Sequence, residues 1–154
     1  MIREIIKGER IFVKAKQAAK KDILAANDLE ETLNAHRDKC VGMAANMIGE
    51  NLAIIAVRQI DEDQLPDDEG NVSAIIPRGD DIIVMLNPQI VKQGKPYRTN
   101  EGCLSLEGER ETVRYENITV TYQDRQLKKH TESFSGFTAQ IIQHECDHIN
   151  GKVI

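Results

Sequence analysis

The segment best equipped for chemistry is Gln143-His144-Glu145-Cys146-Asp147-His148, near the end of the chain. Residues four apart on a helix share a face, with Cβ atoms roughly 6 Å apart. His144 and His148 can therefore offer two imidazoles to one metal ion. Glu145, about 100° round the helix from His144, would sit beside that ion, where a carboxylate can take a proton from water. The neighbouring residues predict burial: Phe137, Ile141, His144 and His148 form one stripe, and Ala139, Ile142 and Ile149 cover other sides. A helix apolar nearly all round is a buried helix, and histidines and a glutamate buried there need partners.

Two imidazoles do not make a stable site, and the third ligand can be a histidine, a carboxylate or a thiolate. His36 continues the apolar stripe of an earlier helix and His130 follows two lysines, so both read as structural or solvated. Cys103 is the better candidate. It stands in Glu101-Gly102-Cys103-Leu104-Ser105, where Gly102 relaxes the backbone, and no disulfide framework explains it, since the chain has three cysteines. One cysteine and two histidines leave a fourth position for water, the pattern of a catalytic site. Cys146 lies between the two histidines on another side of the helix and reads as core.

Several elements must hold these residues. A helix is expected from Asp22 to about Lys39, with Asp22 as N-cap and Ala26, Leu29 and Leu33 facing inward. Residues 9–21 read as an extended arm passing into a short helical turn. Residues 40–49 are small and glycine-punctuated, a loop that lets backbone approach another group closely. Residues 52–57 and 82–86 are continuous apolar runs expected as buried strands, the second ended by Asn87-Pro88, with a third strand at 90–93. Residues 61–70 carry six acids and no base and read as a solvated loop. Ile118, Val120 and Tyr122 alternate with polar residues, a half-buried strand, and Phe134 closes a last one. Ser135 or Gly136 opens the His-Glu helix and Gly151 closes it as the C′ residue. The expected class is α+β: short, mostly antiparallel sheets around a buried C-terminal helix, with another helix outside, in one domain spanning residues 1–154.

The 154 residues are 40% hydrophobic and 29% charged, an ordinary globular composition, with a net charge of −5 that disfavours broad nucleic-acid or anionic-membrane binding. No apolar run reaches the roughly 18 residues of a membrane span. The N-terminus is too charged for a secretory signal, and unpaired cysteines place the chain in a reducing cytoplasm.

Three motifs together resemble those of the peptide deformylases. Glu101-Gly102-Cys103-Leu104-Ser105 matches E-G-C-x-S, and Gln143 to Gly151 matches Q-H-E-x-D-H-x-x-G. The family's G-x-G-x-A-A-x-Q is matched only partly, by Gly42, Ala44 and Ala45. Cys40 stands for its first glycine and Met47 for its glutamine. In the family that glutamine donates an N–H to the developing oxyanion, and a thioether has no donor. The adjacent Asn46 has an amide that would reach the site only with a shifted loop.

The resemblance implies hydrolysis of the N-formyl group from N-formylmethionyl peptides of nascent proteins, releasing formate, at a rate reduced by Met47. It implies one divalent ion, Fe2+ first and Zn2+, Ni2+ or Co2+ as alternatives, held by Cys103, His144 and His148. Glu145 becomes the general base and then acid, and the backbone N–H of Leu104 an oxyanion donor. Backbone groups of Val41, Gly42 and Gly102 would hold an extended peptide. Glu101 and Arg114 would pair behind the metal ligands. The family's ribosome contact uses a C-terminal helix that residues 152–154 do not provide, so only a transient contact is expected. The rival readings are a deacylase for another small N-acyl group and a silent metal- or peptide-binding homologue, which the retained Glu145 disfavours.

Overall fold

A computed structural model describes residues 1–60 and 81–154. The acidic segment at 61–70 lies outside the described residues. The elements are α1 (Ile23–Ala35), β1 (Gly42–Ala44), β2 (Ile54–Arg58), β3 (Ile82–Gly102), β4 (Glu109–Gln123), β5 (Lys129–Ser135) and α2 (Gly136–Ile149), with single 3-10 turns at Glu9–Ile11, Lys20–Asp22 and Ala45–Ile48. The strands form one sheet in the order β1-β2-β3-β4-β5, antiparallel throughout. The class is therefore α+β with a C-terminal helix against an antiparallel sheet, as expected, and the strands among the described residues join in one sheet.

The continuous apolar run of β2 follows from its place in the sheet. Ile54 and Ala56 join the core cluster that contains Ala26, Leu29 and Leu33 of α1. Ile55 and Val57 join the cluster that contains Ala139, Ile141 and Ile142 of α2. A strand covered by helices on both faces has no polar side to alternate with. Each fully buried isoleucine contributes roughly 1.5–3 kcal/mol, so the two clusters hold both helices firmly against the sheet.

Three expectations change. The strand expected to stop at Asn87-Pro88 continues to Gly102. The register slips by one residue between Leu86 and Gln89 and again between Ile90 and Lys92. Such bulges accept a proline that an unbroken ladder would not. Asn87 adopts a left-handed φ of 53° there, and its side chain bonds both Ala18 backbone groups and Gln123. Within residues 40–49, expected as a loop, Gly42–Ala44 pairs with β2 as a strand. Helix α1 ends at Ala35, four residues short of Lys39, and Asp22 caps it without a side-chain bond, accepting instead from the Ala19 N–H at 2.8 Å.

The end of α2 is set by Gly151, whose φ of 86° permits a Schellman closure. Its N–H donates to His148 O at 3.1 Å and that of Lys152 to Asp147 O at 2.9 Å. No helix among the described residues is long and apolar enough to cross a membrane.

Candidate active site

The ligand atoms of Cys103, His144 and His148 all lie within 4.8 Å of one another. Bonds of about 2.0–2.3 Å to one tetrahedral ion would set such atoms roughly 3.5 Å apart, so the three residues fit a shared metal. Their origins differ. Cys103 opens the loop 103–108 that joins β3 to β4, just past the final pair Gly102↔Glu109. The histidines sit one turn apart on α2, their rings 4.4 Å apart. Phe12, from the N-terminal arm, packs its ring 4.4 Å from that of His148.

The outer contacts orient each ligand. Nδ1 of His144 donates to Glu101 Oε1 at 2.8 Å, which leaves the lone pair on Nε2, the tautomer a metal-binding imidazole needs. Glu101 also takes three contacts from the Arg114 guanidinium at 2.7–3.1 Å and one from Gln140 Nε2 at 2.8 Å. Arg114 reaches on to Asp147 Oδ2 at 2.7 Å. The expected Glu101–Arg114 pair is thus part of a longer chain of charges linking β3, β4 and α2. Burial pushes the Glu101 carboxyl up, but the bonds from His144 and Arg114 outweigh it and hold it down at about 2.

The same competition acts at the thiol. Burial raises Cys103, yet hydrogen bonds from His144 and His148 bring it down to about 7, and the N–H of Ser105 points at its sulfur from 3.4 Å. A thiolate near neutral pH is what a metal ligand requires. Without an ion, burial lowers both imidazoles, but Cys103 and a carboxylate partner raise His144 to about 9 and His148 to about 10. Cys40 and Cys146, buried without such cations, are pushed up to about 12 and are inert core thiols. His36 bonds the Thr32 carbonyl and His130 pairs with Asp124 Oδ2, both at 2.8 Å, so neither joins the site.

Glu145 is buried, with Oε1 3.1 Å from His148 Nδ1. Its other oxygen sits against Gly42: a Cβ built there would stand 3.0 Å from Glu145 Oε2 and 2.6 Å from Ile141 Cγ2. Gly42 therefore owes its identity to space. Gly102 is an ordinary strand residue, where a Cβ would meet nothing nearer than Gly108 O at 3.4 Å, so the relaxed backbone expected there is not what the position uses.

A cavity of about 470 Å3 opens onto this cluster. Val41 and Gly42 line it from the β1 side, and Gly102, Cys103 and Leu104 from the hairpin, with His144 and Glu145 from α2. Met47 also faces it. Asn46 is committed elsewhere: its amide donates to the His148 carbonyl at 2.9 Å.

Two residues of the last motif have positions that spacing alone did not assign. Gln143 bonds Tyr115 through both ends of its amide, accepting from the N–H and donating to the carbonyl at 2.8 Å each. It docks α2 onto the β4 edge just where β5 leaves off, since that pairing starts at Asn117. Asp147 anchors Arg114. The repeated polar residue on an otherwise apolar helix was the only signal, and their partners lie some thirty residues away.

Residues 6–154 match the family model described as polypeptide deformylase. The peptide deformylase of Clostridium beijerinckii is 44% identical over the whole of both chains. Among solved structures, a peptide deformylase from Legionella pneumophila superposes with a TM-score of 0.74 at 31% identity, covering 99% of this chain and 83% of that one. A class I type b peptide deformylase from Acinetobacter baumannii, solved with Met-Ala-Ser bound, gives 0.78 at 26%, covering 98% and 96%. The full-length likeness, the antiparallel sheet and the thiol–imidazole cluster agree, and the chain belongs to the polypeptide deformylase family.

Proposed function

We propose that this chain is a metal-dependent amide hydrolase that removes the N-formyl group from N-formylmethionyl peptides and releases formate. The observation that carries the reading is the meeting of Cys103, His144 and His148 within 4.8 Å, beside a buried carboxylate and at the edge of a cavity. The A. baumannii relative holds Met-Ala-Ser, a peptide that deformylation of a formylated N-terminus would leave behind.

Cys103, His144 and His148 are the residues that would hold one divalent ion, which supplies an activated water near neutral pH and a Lewis acid for the formyl oxygen. Glu145 takes the proton of the attacking water and passes it to the leaving amine. The N–H of Leu104 faces the developing oxyanion as a fixed donor. Backbone groups of Val41, Gly42 and Gly102 hold the peptide extended, as an added strand is held. Glu101 fixes the His144 tautomer, and Arg114 keeps Glu101 charged. The ion is Fe2+ on this reading, since a site of one thiolate and two imidazoles accepts several metals and Fe2+ is the family's usual choice; Zn2+, Ni2+ and Co2+ are the alternatives. The enzyme works in the cytoplasm on nascent chains, with a transient ribosome contact.

The test is formate release from formyl-Met-Ala-Ser by protein loaded anaerobically with Fe2+. Turnover is expected, with loss on chelation, and Glu145→Ala is expected to keep its metal and release none. Hydrolysis of the acetyl peptide but not the formyl one would overturn the substrate assignment.

A further inference from the structure

The N-terminal arm touches both walls of the cavity at once. Ile6 N–H donates to Met47 O at 2.9 Å and Gly8 N–H to Ser105 O at 2.8 Å. In an extended segment, N–H groups two residues apart point to the same side, about 7 Å from each other. One edge of the arm therefore bridges the turn carrying Met47 and the hairpin loop carrying Leu104, both of which line the cavity. Between those two bonds, the Lys7 ammonium reaches the Leu104 carbonyl.

Residue 104 is thus held on both sides. Cys103 precedes it, with its sulfur among the two imidazoles, and the carbonyl that follows is clamped by a cation. The loop is closed within itself by the Leu106 N–H donating to Cys103 O at 3.1 Å. We infer that Lys7 is a positioning residue for the hydrolysis: by clamping the carbonyl of the Leu104–Ser105 peptide it fixes the backbone at residue 104 and so restrains the adjoining Cys103–Leu104 peptide, whose N–H is aimed at the oxyanion, through the juxtaposition of the Lys7 ammonium with the Leu104 carbonyl between two strap bonds. This rests on the deformylase reading and on the Leu104 donor. Its weight is greater here because the Met47 side chain has no N–H to donate, so the aim of the Leu104 donor matters more.

The experiment compares wild type, Lys7→Met and Lys7→Arg as iron-loaded protein. It measures kcat and KM on formyl-Met-Ala-Ser, metal content, melting temperature, and amide exchange at Ser105 and Leu106. Lys7→Met is expected to lower kcat about tenfold, a partial loss of aim against the roughly 10²–10³ for a whole donor, with KM held within about twofold. Metal content and melting temperature are expected to stay at the wild-type values, since Lys7 is exposed. Exchange at Ser105 and Leu106 is expected to quicken. Lys7→Arg restores the cation and should recover kcat. A Lys7→Met kcat within about twofold of wild type, or no rescue by arginine, overturns the inference. If wild type itself releases no formate, the deformylase reading fails, and exchange still decides the strap: unchanged rates at Ser105 and Leu106 overturn it.

Discussion

Met47 places a thioether where the family motif carries an amide, and its side chain is buried at the cavity. Removing one oxyanion donor costs about 10²–10³ in rate elsewhere. Asn46 does not compensate, because its amide is engaged by the His148 carbonyl. Met47→Gln is therefore expected to raise kcat for formate release by up to about 100-fold, with little change in KM, as steady-state kinetics would register. An unchanged kcat would mean the donor is already supplied from elsewhere. At this scale the sequence was eloquent about the candidate ligands Cys103, His144 and His148, which the structure brings together, and quiet about their supports. Histidines four apart and a cysteine without a disulfide announce themselves by type. Gln143 and Asp147 do not, because their work depends on Tyr115 and Arg114, which reach them only once β4 is folded against α2.

Among the elements, the contact between β1 and α2 is the tightest constraint described. Gly42 lets the strand approach until only a hydrogen fits beside Ile141 and Glu145. Gly42→Ala must push β1 away or swing the carboxylate aside. A stability loss of about 1–3 kcal/mol is expected, visible as a lower denaturant midpoint, together with a fall in turnover larger than any fall in metal content. The strand itself was hidden in the sequence because Gly42-Met43-Ala44 is too short to show a period. The long β3 was hidden for the opposite reason: Asn87-Pro88 ordinarily ends a strand, and here the bulge absorbs it. The two helices and the apolar strand β2 were legible, since burial imprints period and run length directly.

Across the whole molecule, Glu101 ties three elements together, with Arg114 on β4, His144 and Gln140 on α2 and its own strand β3. Its folded pKa of about 2 lies below the ordinary 4.5. The stability it contributes is thus fully present above about pH 4.5 and is lost as pH falls through 2. Metal-free wild type should lose cooperativity across that window in acid titrations followed by circular dichroism. Glu101→Gln should show a flatter profile there from a lower starting stability. Persistence of the wild-type slope in the variant would assign the acid sensitivity to other carboxylates.

The Gln143 amide on Tyr115 also marks where the sheet stops being shared. Among the described residues, β4 pairs from residue 109 to 113 with β3 alone, and β5 begins its pairing only at Asn117. A bare ladder edge of that length invites a second molecule to add on and start a stack. Glu109, Arg110 and Glu111 alternate in charge along it, and Glu111 pairs with Arg98 of β3 at 2.9 Å. Charged side chains of both signs on so short a stretch are the kind of edge that discourages another strand from adding on.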